Sequence, residues 1–175
     1  MRDHNEVLLI GVVKSRPARD GRGFLFSIVT GKSGSECVEH DIVVGAYIDK
    51  VSDQLKKGST VLVQGPVRND RRIFVRNLNP MSALDTSDIH TQNHLVLIGT
   101  ITSEPVKDGP LVHLTMGTRI QVKDRFFYAT HDLIISGRKD KSIARNISVG
   151  NRVMVLGEID DKKKIRVRNM TPEAI

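Results

Sequence analysis

The sequence predicts an all-β protein built as two tandem five-stranded barrels, each with a short helix between its third and fourth strands. Three observations predict this. First, Arg71-Arg-Ile-Phe-Val-Arg-Asn-Leu-Asn-Pro80 recurs as Lys163-Lys-Ile-Arg-Val-Arg-Asn-Met-Thr-Pro172, displaced by 172 − 80 = 92 residues, so the chain is one unit written twice. Second, both copies alternate. Ile73 and Val75 oppose Arg72, Phe74 and Arg76, and Ile165 and Val167 oppose Lys164, Arg166 and Arg168. Third, each copy opens on a β-branched apolar run broken by one glycine, Gly11 or Gly99, where a strand is expected to bend or bulge.

The elements run in order. Glu6 to Lys14 is the first strand, matched by His94 to Ser103. Pro17 and Pro105 come next, then Arg19-Asp20-Gly21 and Lys107-Asp108-Gly109, where Asp-Gly between apolar runs predicts a hairpin. The second strand is Phe24 to Thr30, matched by Val112 to Thr118. The copies differ beyond this strand. Gly31 to Glu36 is a polar turn, Arg119 to Arg125 stands in its place, and the offset slips from 99 − 11 = 88 to 131 − 40 = 91. A surface loop of variable length is expected there.

The third strand carries His40-Asp41-Ile-Val-Val and His131-Asp132-Leu-Ile-Ile. In the second copy it is preceded by Phe126-Phe127-Tyr128, of which alternation predicts at least one in the core. Asp49 to Lys57 and Asp140 to Ile147 read as short helices, ended by Gly58 and Gly150. The fourth strand is Thr60 to Gly65, matched by Arg152 to Gly157, and the fifth is the repeated basic segment. Strand order β-β-β-(short α)-β-β with a bent first strand is that of an OB-fold, a five-stranded Greek-key barrel. The expected domains are residues 1–80 and 94–175, joined by a polar linker over 81–93.

Composition narrows the function classes. The 175 residues are 39% hydrophobic and 27% charged, as in a globular chain. Net charge is +7, which favours an anionic partner. It is unequally shared: residues 1–88 hold 13 Lys+Arg against 11 Asp+Glu, and residues 89–175 hold 14 against 9. The single cysteine, Cys37, excludes an intrachain disulfide or a cysteine metal cluster. The N-terminus lacks the apolar segment of a signal peptide, and the longest apolar runs are of strand length, so a cytoplasmic protein without membrane spans is expected. With no glycine-rich phosphate loop, metal set or nucleophile constellation in the sequence, neither an enzyme nor a cofactor is expected.

Three segments carry a family resemblance. Leu95-Val-Leu-Ile-Gly-Thr-Ile-Thr-Ser-Glu-Pro105 resembles the opening of bacterial single-stranded DNA-binding proteins. His131-Asp-Leu-Ile-Ile-Ser-Gly137 is similar to their third strand. Ile147 to Ile159 looks nearest to their primosomal replication protein B branch. The resemblance covers both copies except residues 1–5 and the linker. It implies a non-catalytic protein binding single-stranded DNA along barrel surfaces, with a tandem chain acting as a covalent pseudo-dimer that can pair into a homodimer. It departs from the family in having no tryptophan and only 4% aromatics, which points to binding led by charge. The family's acidic tail is not seen after Thr171, which points to a specialised primosomal, plasmid, phage or mobile-element role.

The candidate binding residues lie first on the fifth strand and its preceding turn. They are Arg68, Arg71, Arg72 and Arg76, then Lys162, Lys163, Lys164, Arg166 and Arg168. Cations neutralise phosphates and release counterions; the competing reading is a solvated edge strand. Phe74 between Arg72 and Arg76 can stack a base or pack in the core. Phe126 and Tyr128 share a face and form a second stacking candidate, with Tyr47 a weaker one. Lys14, Arg16, Arg19 and Arg22 can extend the groove. The His-Asp pairs read as structural, because adjacent strand residues point to opposite faces. Two further classes remain open: a protein-interaction module docking replication proteins, and an RNA-binding protein.

Overall fold

The computed structural model describes residues 2–31, 37–45, 54–81, 91–122, 124–136 and 138–173. The chain divides into two compact units. One is Val7–Asn93; the other joins Met1–Glu6 to His94–Ile175.

The unit Val7–Asn93 contains most of β1 (His4–Val13), β2 (Ala18–Asp20), β3 (Gly23–Thr30), β4 (Val38–Gly45), β5 (Thr60–Gly65), β6 (Ile73–Phe74) and β7 (Asn77–Pro80). β1 pairs antiparallel with both β3 and β5, β3 pairs with β4, β4 runs parallel to β6, and β5 pairs with β7. The fifth strand of the sequence is thus split. Val75 N–H donates to Val43 O and Arg76 N–H to Gln64 O, both at 2.9 Å, so the segment changes partners mid-way and closes the ring.

The other unit repeats the scheme with β8 (Gln92–Ile101), β9 (Val106–Asp108), β10 (Leu111–Val122), β11 (Arg125–Ile135), α1 (Arg138–Arg145), β12 (Arg152–Ile159) and β13 (Ile165–Pro172). β8 pairs with β10 and β12, β10 with β11, β11 runs parallel to β13, and β13 pairs with β12. Five strands therefore close on themselves here too.

Alternation builds each interior. Leu9, Ile28, Ile42, Ile73 and Val75 fill one; Leu97, Ile101, Met116, Leu133 and Val167 fill the other. Leu55 and Ile147, at matching places before the fourth strand, are both buried. The two Asp-Gly hairpins form as expected, with registers Asp20↔Gly23 and Asp108↔Leu111 and left-handed Gly21 and Gly109. Gly11 and Gly99 have a sharper reason than bending. A Cβ on Gly11 would lie 2.7 Å from Val29 O, and one on Gly99 2.2 Å from Gly117 O. The first strand crosses the second there so closely that only hydrogen fits.

Two expectations are corrected. Arg119 to Arg125 is not a loop: β10 and β11 stay in register out to Val122↔Arg125, joined by two residues. Nor is any of Phe126, Phe127 and Tyr128 in the core. They are 51%, 52% and 67% exposed, because this part of the hairpin extends past the strands that would cover either face. The second helix lies near its expected place, two residues early. Residues 49–53 of the expected first helix and 82–90 of the expected linker, with Tyr47, lie outside the described residues.

Candidate nucleic-acid interface

The two basic turns have one geometry. In the first, Arg68 N–H donates to Arg72 O and Arg71 N–H to Arg68 O, each at 2.9 Å. In the second, Asp160 N–H donates to Lys164 O at 2.8 Å and Lys163 N–H to Asp160 O at 3.0 Å. Each turn places one residue in the left-handed region, Arg71 at φ 63 and Lys163 at φ 61. Glycine would occupy that region without the cost of about 1–2 kcal/mol that a side chain brings. Both copies put a cation there instead. Asp160, buried, accepts from Lys162 N–H and Lys164 N–H at 2.9 and 2.8 Å and stiffens the second turn.

Side chains sort as alternation requires. Ile73, Val75, Ile165 and Val167 are buried; Arg68, Arg71, Arg76, Lys162, Arg166 and Arg168 are exposed; Arg72, Phe74, Lys163 and Lys164 are half-buried. Carboxylates that sequence reasoning missed stand among these cations. Arg72 meets Asp20 at 3.1 Å and Arg68 meets Asp70 at 3.9 Å. Glu158 forms an ion pair with Arg166 at 3.7 Å and also pairs with Arg168, so two guanidiniums share one carboxylate. The signal was available in the strand pairing, since Glu158 lies directly across from Arg166. Exposed pairs of this kind contribute about 0–1 kcal/mol each. Outside these turns, Lys14 pairs with Glu39, and Arg19 lies 6.0 Å over the Phe24 ring.

The β10–β11 arm brings aromatics and cations together. Phe126, Tyr128 and Thr130 alternate onto one face, opposite Gln121, Arg119 and Gly117. The Arg119 guanidinium lies 4.7 Å from the Phe126 ring centroid, a cation–π contact. Such a face offers flat apolar surface beside positive charge. In the first unit β3 ends at Thr30, and the intervening residues 32–36 lie outside the described part.

The two histidines sit inside. His40 Nε2 is 2.8 Å from Thr30 Oγ1, and His131 Nε2 is 2.9 Å from Thr118 Oγ1. Burial lowers the His131 pKa to about 4, against a smaller raising effect of Asp132, so the ring is neutral at physiological pH. Among the described residues, no three His, Cys, Asp or Glu gather as a metal site. No described helix is long and apolar enough to cross a membrane.

The first residues of the chain complete the unit that holds β8–β13. Asn5 Nδ2 lies 3.2 Å from Thr118 Oγ1 and 3.3 Å from His131 Nε2. Asp3 accepts from Arg119 N–H at 2.7 Å and from Arg152 at 2.6 Å, and Arg152 reaches Glu173 at 2.7 Å. These bonds raise the Arg152 pKa and lower that of Glu173.

Among the solved structures that match the chain along nearly its whole length are two forms of one protein. The wild-type single-stranded DNA binding protein from Thermus aquaticus is 17% identical, with a TM-score of 0.74, over 100% of this chain and 95% of that one. A deletion mutant of the same protein is 17% identical, with a TM-score of 0.73, over 99% of this chain and 96% of that one. The chain has their fold. No protein-family model matches it, and no curated protein matches it in sequence.

Proposed function

We propose that the chain is a non-catalytic, tandem OB-fold protein that binds single-stranded DNA with little sequence preference. The observation that carries this reading is the exposed β10–β11 arm, where Phe126, Phe127 and Tyr128 stand beside Arg119. No core-packing role accounts for three consecutive exposed aromatics, and bases stack on such rings in any sequence. The full-length fold shared with the Thermus aquaticus protein supports it. So do the two left-handed cations, Arg71 and Lys163, retained where glycine would be less strained.

In this reading Phe126 and Tyr128 stack bases. Arg68, Arg71, Arg72 and Arg76 and Lys162, Lys163, Lys164, Arg166 and Arg168 hold phosphates, and Phe74 adds a half-exposed stacking surface. Binding is less purely electrostatic than composition suggests, because Glu158 offsets one of its two arginines. Residues 147–159 form the turn and β12, the part nearest to the primosomal replication protein B branch, and the setting is DNA replication, recombination or mobile-element maintenance. A second reading, an assembly module, draws on Met154 and Leu156, both 37% exposed on β12. They lie across from Ile98 and Val96 and present an apolar outer strand face suited to a homodimer or a replication protein.

Titration of a fluorescent oligothymidine at rising salt tests the proposal. Affinity should fall at least tenfold between roughly 50 and 200 mM salt. Undetectable binding, or binding indifferent to salt, would overturn it. The matching oligouridine separates DNA from RNA preference.

A further inference from the structure

At the base of the arm lies a cavity of about 370 Å³, bounded by Asp3, Thr100, Thr102, Gly117, Tyr128 and Thr130. The repeat shows how it arises. β8 and β10 pair Thr100↔Gly117, and β10 and β11 pair Gly117↔Thr130. The same registers in the other unit are Val12↔Val29 and Val29↔Glu39. Where that unit has two valines and the Lys14–Glu39 ion pair, this one has Thr100, Gly117, Thr130 and Thr102. Three of the four exchanges remove bulk or charge, the fourth, Val12 to Thr100, is nearly isosteric, and three of the four install a hydroxyl. The strand registers are the same, so the hollow is a property of the side chains.

We infer that this cavity receives a single nucleobase of the bound strand, on the premise that the chain binds single-stranded DNA as proposed above. Of the charged groups beside it, Asp3 is engaged by Arg119 N–H and by Arg152, Arg152 also by Glu173, and the Arg119 guanidinium lies over the Phe126 ring. A neutral polar ligand suits that better than a free anion. Threonine hydroxyls both donate and accept, so Thr100 and Thr130 meet the hydrogen-bonding edge of any base, while Thr102, its hydroxyl 2.8 Å from that of Thr115, turns its methyl to Gly117. The volume lies at the lower end of small-ligand sites, which fits a base with part of its sugar. Access is built in. Phe126, Tyr128 and Thr130 form one continuous row leading from the arm to the cavity, so a strand stacked on the aromatics has its next base at the opening.

The test is Gly117→Val, which restores the residue of the first copy. A Cβ on Gly117 would meet Thr102 Cγ2 at 3.2 Å, a contact that a side-chain adjustment relieves. Thr100→Val, nearly isosteric, removes one hydroxyl and carries the test if Gly117→Val does not fold, as judged by thermal melting. Oligothymidines with the base deleted at one position at a time are titrated against each protein. In the unsubstituted chain one deletion should weaken binding about tenfold. In Gly117→Val the intact oligonucleotide should bind about tenfold more weakly and that positional effect should vanish; Thr100→Val should reduce it. A folded variant with unchanged affinity and an unchanged positional profile overturns the cavity assignment alone. Absence of binding by the unsubstituted chain overturns the single-stranded DNA reading and this inference with it.

Discussion

His131 shows how a pair of residues that suggests chemistry serves packing. Its ring is buried against Thr118 and Asn5, and its pKa is lowered to about 4 by burial. An unfolded histidine titrates near 6.5, so between about 6.5 and 4 the unfolded chain binds a proton that the folded one refuses. Stability therefore rises with pH across that window. The contribution is fully present above about pH 6.5, is lost as the pH falls to about 4, and amounts to about 3 kcal/mol. Chemical denaturation at pH 7.5 and pH 4.5 should show the difference, and His131→Gln should flatten it. A second prediction concerns Gly99, whose added methyl would lie 2.2 Å from Gly117 O, against backbone that cannot turn aside. Gly99→Ala should cost several kcal/mol, read as a large fall in melting temperature, whereas Gly109→Ala, in open space, should cost about 1 kcal/mol for its positive φ.

Among the elements, the β10–β11 arm distinguishes one copy from the other. Its strands were legible in part. The alternation correctly put Phe126 and Tyr128 on one face. The exposure of both faces was not legible, because period-two reasoning assumes that one side of a strand is covered. Coverage depends on which other strands reach that far, and here β13 meets β11 only over Leu133 to Ile135. The arm is expected to supply stacking more than stability. Phe126→Ala with Tyr128→Ala should weaken oligothymidine binding by about 1–3 kcal/mol per lost base contact and leave the salt slope unchanged. Lys163→Ala should do the reverse, reducing the slope by about one with the melting temperature nearly unchanged.

For the whole molecule, the N-terminal residues are the part least visible from the chain's own order. Asp3 and Asn5 carry no motif, yet they meet Arg152 and His131 across separations of 149 and 126 residues. Asp3→Ala with Asn5→Ala should leave the Arg152 charge and the Thr118–His131 cluster short of partners. A loss of about 2–4 kcal/mol is expected, as for other broken part-buried networks. Differential scanning calorimetry should show it in the transition of the unit that holds β8–β13. Equal transitions in variant and parent would mean that the segment decorates that unit without supporting it.

The barrel class, the strand order within each unit, the buried and exposed faces of the basic strands and the structural nature of the two histidines were all readable along the chain. Each depends on local period, turn chemistry or self-similarity, which are properties of neighbouring residues. Tertiary structure alone decided the rest. It set Glu158 and Asp20 against the arginines, carried the aromatic arm beyond its covering strands, brought Asp3 and Asn5 to the other end of the sequence, and hollowed the cavity at Gly117. Those features arise where distant segments meet, and a pattern read along one strand holds no record of what lies across from it.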